Sequence, residues 1–182
     1  MRILLVVVLA VASAWLAVNV ALVAVVAPAV FAHALPAGDM LTKFQAGALF
    51  GDVLARWLKI TDASVWPLLV LTLGILSGYA MRDRHRLAMG LCLAALVALI
   101  AIHQWSGMVV AQAMAIHPPV KEAELAAYSE ETHAAFNDLH HRSVTLFGIE
   151  TILLLAISLA TAGVLARGGQ EALRPSAAEG PR

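Results

Sequence analysis

The sequence predicts an all-α integral membrane protein: a four-helix bundle with an interfacial amphipathic helix and a short extramembrane helix before the last span. Hydrophobic residues make up 61% of the chain and charged residues only 13%. A water-soluble chain of 182 residues could not bury that much apolar surface. Apolar runs long enough to cross a ~30 Å hydrocarbon core predict spans at about 3–32, 65–81, 87–116 and 144–166.

The first span begins almost at the N-terminus. Met1-Arg2, an apolar stretch and the triplet Ala12-Ser13-Ala14 resemble a secretory signal, so cleavage of residues 1–14 is an alternative. The apolar run continues past Trp15 to residue 32, which is far longer than the core of a signal peptide. This length favours an uncleaved membrane helix.

The segment 40–60 alternates apolar residues with charged ones, among them Lys43, Asp52 and Arg56, at helical spacing. It either lies along the membrane interface or extends the second span. The second span, 65–81, is short, and its Gly74 and Gly78 form a small-xxx-small pair that suits close helix packing.

The last part of the chain begins at Pro118-Pro119, which ends the third span and suits the start of a short helix. Ser143 is placed to serve as the N-cap of the fourth span. Residues 167–182 contain glycine, proline and charge without an apolar period, which predicts a disordered cytoplasmic tail. Residues 1–166 then form a single transmembrane domain.

Basic residues near the span ends predict the orientation, because they favour the cytoplasmic side. The N-terminus, the connection between spans two and three, and the C-terminal tail carry most of them. These are Arg2, Arg82, Arg84, Arg86, Arg167, Arg174 and Arg182. We therefore expect a multi-pass protein of a bacterial inner membrane, with both termini in the cytoplasm.

Several function classes are disfavoured by composition and by missing motifs. A net charge of zero argues against nucleic-acid binding, and Cys92, the only cysteine, excludes an intrachain disulfide and a cysteine-based metal site. The chain has no GxSxG, no phosphate-binding glycine loop and no HExxH, so a hydrolase or transferase is disfavoured. The expected surroundings are the lipid bilayer, with a homo-oligomer or another membrane protein as open alternatives.

Three polar residues lie within the predicted spans at comparable depth. Asn19 and His103 fall near mid-depth, and Glu150 lies somewhat closer to the outer end. Polar groups in the hydrocarbon region are costly unless they are paired, so these three side chains are expected to meet. They form either a proton relay or ion path, or hydrogen bonds that only hold the helices together.

Four histidines gather near the predicted outer ends of the spans: His33, His117, His140 and His141. Imidazole binds transition metals and changes charge near neutral pH, so convergence of these residues predicts a metal or haem site, or a proton-sensitive switch. The alternative is that they are interface residues, like tryptophan and tyrosine.

The run Phe136-Asn-Asp-Leu139-His140-His-Arg-Ser143-Val144-Thr-Leu146 leads directly into the last span. It resembles the Phe-x-x-Leu-His-x-x-Ser-Val-x-Leu-Asn pattern of the transmembrane protein 205-like domain family. Residues 26–31 and 47–50 resemble the first half of that family. The resemblance singles out Phe136, Leu139, His140 and Ser143. Where the pattern has asparagine this chain has Phe147, which puts any role of that asparagine in doubt.

The family resemblance implies a four-helix integral membrane protein without a settled activity. Bacterial members are a domain of unknown function, and the animal member is associated with platinum-drug resistance and vesicle traffic. Three function classes remain open. The first is a small transport or metal- or ion-handling protein; the others are a haem- or copper-binding redox protein and a non-catalytic assembly subunit.

Overall fold

The computed structural model describes residues 2–33, 40–79, 86–119, 124 and 127–173, and it confirms the all-α class for them. The long elements are helices joined by short connections. In chain order they are α1 (Arg2–Ala21), α2 (Ala27–His33), α3 (Met40–Tyr79), α4 (Arg86–Ala115) and α5 (Glu130–Leu173).

A single π-helical turn, Leu22–Val26, joins α1 to α2 without breaking the helical path. The Ala27 N–H donates to the Leu22 carbonyl, five residues earlier. Pro28 explains this turn, because proline has no N–H for the carbonyl four residues before it and its ring crowds that carbonyl. The predicted first span is thus one continuous rod.

Helix α5 packs along both α4 and α1, while α3 packs against α4 and touches α1 and α2. Apolar side chains from α1, α3, α4 and α5 meet in one core. Its buried members are Leu5, Val8, Ala12, Trp15, Val65, Leu96, Leu99, Leu154, Ile157 and Val164. Every helix pair that bears on the functional site is therefore in direct contact.

Among the described residues, three helices are long and apolar enough to cross a membrane: Leu5–Phe31, Gly90–Ala115 and Glu130–Ala166. Their outward faces carry large apolar side chains such as Val23, Leu91 and Ile152, which suits contact with lipid tails. The predicted span 65–81 is not confirmed as a fourth. Its helix reaches Tyr79, but residues 80 and 81 and most side chains from 68 onward, with Gly74 and Gly78, lie outside the described part.

The amphipathic segment 40–60 is the first half of α3 rather than a separate interfacial helix. Helix α3 runs for 40 residues without a break, which is about 60 Å at 1.5 Å per residue. Of the two alternatives for this segment, the structure has the one in which it extends the second predicted span.

Part of the segment predicted as a short helix before the last span is continuous with that span. Glu124 is also helical, while residues 120–123 and 125–126 lie outside the described part. Helix α5 begins at Glu130, passes through the predicted span and ends at Leu173, within the tail expected to be disordered. Residues 174–182 lie outside the described part. Ser129 caps this helix, since its Oγ accepts the Thr132 N–H at 3.2 Å. Ser143 is therefore no N-cap; it lies inside α5 and donates to the His140 carbonyl at 2.8 Å.

Two glycines let α3 approach the C-terminal end of α4. A Cβ atom on Gly47 would lie 3.1 Å from His117 Nε2, and one on Gly51 would overlap the Met114 sulfur. The His117 ring is held in place, because its Nδ1 lies 2.7 Å from the Pro118 carbonyl and its edge meets Phe136. The Met114 side chain has three rotatable bonds and can move aside.

This difference predicts unequal effects of adding a methyl group to each glycine. Both alanine variants gain about 1 kcal/mol of helix propensity, but only Gly47→Ala pushes against a fixed ring. We expect Gly51→Ala to be about 1 kcal/mol more stable than Gly47→Ala. Unfolding in mixed detergent micelles with increasing dodecyl sulfate measures both, and equal midpoints would contradict the packing described.

Candidate functional site

A buried polar network links the four long helices near the middle of the bundle. Asn19 on α1, His103 on α4 and Glu150 on α5 are at most 1% exposed, and their side chains are in contact. The structure thus brings together the three residues that the sequence places at a common depth. Each also lies near the middle of its membrane-crossing helix.

The two carboxyl oxygens of Glu150 have different partners. Oε1 accepts hydrogen bonds from Trp15 Nε1 at 3.0 Å and from Asn19 Nδ2 at 3.3 Å. Oε2 faces His103 Nδ1 at 3.4 Å, which is long for a hydrogen bond. Because two N–H groups already point at Oε1, a proton on this carboxyl group belongs on Oε2, next to the imidazole.

The other ring nitrogen of His103 faces α3. Its Nε2 lies 3.2 Å from Thr61 Oγ1 and 3.3 Å from Asp62 Oδ1. The Thr61 hydroxyl donates to the Leu58 carbonyl at 2.9 Å, so in this arrangement its oxygen accepts from the imidazole. Two acceptors around Nε2 indicate that this nitrogen carries a hydrogen.

With Nε2 protonated, a single proton is left for the gap between Nδ1 and Oε2. It lies either on Glu150, facing a neutral imidazole, or on His103, facing a carboxylate. With no proton in the gap, a lone pair on Nδ1 would face a lone pair on Oε2. With two protons, an N–H group would face an O–H group. One shared proton would leave the buried pair with no net charge, which would avoid the cost of an unpaired charge in the bundle.

Two tryptophans hold this pair in position. The Trp15 ring meets the His103 ring edge-on, with ring centroids 5.1 Å apart and planes at 84°. Trp57 Nε1 donates to Asn19 Oδ1 at 2.9 Å, so the amide of Asn19 must present its N–H₂ to Glu150. Rotation of either side chain would leave a buried donor without an acceptor.

Asp62 connects the network to the protein surface. Its side chain is 52% exposed, and Gln104 Nε2 donates to its Oδ1 at 2.7 Å. Asp62 Oδ1 is the same oxygen that faces His103 Nε2. A chain of ionisable groups thus runs from a half-exposed carboxylate through an imidazole to a fully buried carboxyl group.

The histidines predicted to form a metal or haem site do not form a comparable cluster among the described residues. His117 packs edge-on against Phe136 at 5.1 Å, and Phe136 stacks on His140 at 6.1 Å, so a phenyl ring separates the two imidazoles. His140 and His141 lie 6.1 Å apart between centroids, and the side chain of His33 lies outside the described part. Within the described residues, no group of three or more His, Cys, Asp or Glu side chains could hold a metal.

This end of the bundle is instead tied by aromatic and backbone contacts. The Tyr128 hydroxyl donates to the Ile116 carbonyl at 2.7 Å, and partial burial raises the pKa of this hydroxyl. Of the residues that the family pattern singles out, Phe136 and His140 stack on each other and Ser143 bonds inside α5. Leu139 is half-buried on the same helix.

Four members of the network were absent from the sequence-based set: Trp15, Trp57, Thr61 and Asp62. A signal for the tryptophans existed, because an indole N–H inside an apolar run needs an acceptor when it is buried. Asp62 precedes the predicted span 65–81 by three residues, and only the packing of α3 on α4 places it beside His103.

Comparison with known proteins adds no relative. No protein-family model matches the chain, and neither does any curated protein or solved structure.

Proposed function

We propose that this protein is a small ion-handling membrane transporter and that the ion it moves or couples to is the proton. The observation that carries the proposal is the Glu150–His103 pair, an imidazole facing a carboxyl group, with both side chains buried in the bundle. Ionisable residues inside membrane helices commonly mark proton relays, because their burial is costly without such a role.

The geometry around the pair supports relay chemistry rather than simple adhesion between helices. Hydrogen bonds that only hold helices together can be made by neutral groups such as those of Asn19 and Thr61. These groups cost less to bury than a carboxyl group and an imidazole. The imidazole has one nitrogen directed at Glu150 and the other at Asp62. It can therefore take a proton on one side of the ring and release one on the other.

The proposal also includes the orientation of the chain in the membrane and its family relationship. The distribution of arginines supports a bacterial inner-membrane location with both termini in the cytoplasm. The Phe136 to Leu146 run supports a relationship with the transmembrane protein 205-like domain family. A metal or haem at the outer histidines has no comparable support in the described residues.

Proton flux into vesicles tests the proposal directly. The purified protein is reconstituted into phosphatidylethanolamine–phosphatidylglycerol vesicles that contain a pH-sensitive dye, and a potassium diffusion potential drives proton entry. We expect Glu150→Gln and His103→Asn to reduce this flux at least tenfold. Glutamine keeps the acceptor for Trp15 and Asn19 but has no proton to share.

A matched carboxylate controls for the loss of charge. Asp138 on α5 is 57% exposed and pairs with Arg142 at 2.7 Å, outside the polar network, so Asp138→Asn should conduct like the unmodified protein. Size-exclusion chromatography checks that every variant remains folded. Unchanged flux in both Glu150→Gln and His103→Asn, or no flux above that of empty vesicles in the unmodified protein, would rule the proposal out.

A further inference from the structure

A charged stripe runs along the exposed side of α3 and ends at the polar network. Its members are Asp52, Arg56, Lys59 and Asp62, with spacings of four, three and three residues. Such spacing keeps side chains on one side of a helix. All four are exposed, and the Arg56 and Asp52 side chains form an ion pair at 3.0 Å.

Beyond Asp62 the same side of α3 becomes apolar. The next exposed residues among the described side chains are Ala63, Trp66, Pro67 and Val70, and Trp66 and Val70 are large side chains at least 64% exposed. Water can follow the charged residues to Asp62, whereas the side chains after it suit lipid. Among the described side chains of α3, which extend to Val70, the hydrophilic surface thus continues from Asp62 toward Asp52 and not toward Val70.

The contacts of α3 identify the end of the bundle from which the stripe starts. Gly47 lies against His117, just after the end of α4, and Phe50 lies 6.3 Å from Phe31 of α2 between ring centroids. The N-terminal half of α3, the C-terminal end of α4 and α2 therefore share one end. We call it the His117 end.

We propose that in this conformation the Glu150–His103 pair exchanges its proton with water through Asp62 at the His117 end, so that transfer across the membrane needs a second conformation open to the other end. This inference rests on the proposed function and adds to it the route and the side of entry. The titratable groups that face His103 among the described residues are Asp62 from α3 and Glu150 from α5. Helix α1 contributes Trp15 and Asn19, which do not titrate.

Release moves the proton from His103 to Asp62 and then to water. The Nε2–H bond of the imidazolium breaks and an O–H bond forms on Asp62 Oδ1, which leaves a neutral imidazole whose Nδ1–H donates to the Glu150 carboxylate. The Thr61 hydroxyl can then turn from the Leu58 carbonyl to donate to Nε2. Asp62 passes its proton to water, and uptake follows the same steps in reverse.

Trp15 provides a reporter of these steps inside the protein. Its ring touches His103, and a protonated imidazole quenches indole fluorescence. Replacement of the exposed Trp66 and Trp105 by phenylalanine removes most of the background. In this variant, a stopped-flow pH jump in detergent gives both the amplitude of the titration and the rate at which the pair takes up its proton.

We expect Asp62→Asn to keep the amplitude but to slow proton uptake at least tenfold, while Asp138→Asn changes neither. A small weak acid such as formic acid, supplied in the buffer, should restore the rate in Asp62→Asn. An uptake rate in Asp62→Asn equal to that in Asp138→Asn would overturn the inference.

Thiol labelling tests the one-sided route without relying on flux. With Cys92 replaced by alanine, a membrane-impermeant thiol reagent should modify Lys59→Cys in vesicles and leave Val70→Cys unmodified. Equal modification of both would overturn the one-sided path.

The proposed function fails in a different way. If the Trp15 fluorescence titrates in the same way with and without Glu150→Gln, the proposal of a shared proton is wrong, and the proposed exchange route is wrong as well. If Glu150→Gln removes the signal but Asp62→Asn leaves the rate unchanged, only the route is wrong.

Discussion

Replacement of Glu150 by alanine is expected to lower the free energy of unfolding by about 3 kcal/mol, the largest stability effect of any single substitution in the network. The reason is the number of partners left behind. Trp15 Nε1, Asn19 Nδ2 and His103 Nδ1 all face this carboxyl group. Each unpaired group inside a membrane bundle costs about 1 kcal/mol.

Glutamine at the same position should cost much less, because its amide oxygen still accepts from Trp15 and Asn19. Unfolding of the three proteins by dodecyl sulfate in mixed micelles, followed by circular dichroism, gives the comparison. Glu131→Ala is the matched control, since Glu131 is exposed in the first turn of α5 and should cost less than about 0.5 kcal/mol. Equal destabilisation by alanine at 150 and 131 would contradict the network.

Replacement of Asn19 by leucine is expected to cost about 2 kcal/mol. Asn19 bonds both to α3, through Trp57, and to α5, through Glu150. Leucine has similar volume but neither accepts from the indole nor donates to the carboxylate. Two hydrogen bonds are therefore lost, and the Trp57 N–H is left without its acceptor.

Asn137 offers a close control for this substitution, because it is exposed on α5. Asn137→Leu should change the unfolding midpoint by less than about 0.5 kcal/mol. The emission of Trp57 adds a second readout, since loss of its hydrogen bond should shift the emission maximum in Asn19→Leu only. An unfolding midpoint for Asn19→Leu within error of that for Asn137→Leu would show that the hydrogen bonds of Asn19 do not stabilise the protein.

The structure explains how buried polar groups can lie inside an otherwise apolar bundle. Large apolar side chains cover the outward faces of the membrane helices, so the polar groups satisfy one another internally. The Glu150–His103 pair is neutral when one proton is shared. It is also held rigidly by two indole N–H groups, which fixes the distance between the imidazole and the carboxyl group.

The helices themselves were largely predictable. Runs of about 25 apolar residues have one stable form in lipid, so α1, α4 and α5 follow from composition and length. Their ends were less predictable. Helix α5 starts 14 residues before the predicted span, because Ser129 caps it and no glycine or proline interrupts residues 130–147.

The site was half predictable for a related reason. Asn19, His103 and Glu150 are conspicuous because polar residues are rare within apolar runs, and counting residues places them at similar depth. Their hydrogen bonds depend on how each helix is rotated about its axis. Trp57, Thr61 and Asp62 lie in an amphipathic segment where polar residues are common, so nothing local distinguishes them.

The amino-acid sequence by itself determined that this chain is helical, that three of its described helices are long and apolar enough to cross a membrane, and which ionisable groups lie within them. These properties depend on composition and period along one chain. Only the tertiary structure decided which groups meet, because a contact between α1, α3, α4 and α5 depends on the rotation and depth of four helices at once. That packing joins Glu150 to His103 and His103 to Asp62, and it keeps the outer imidazoles of His117 and His140 apart.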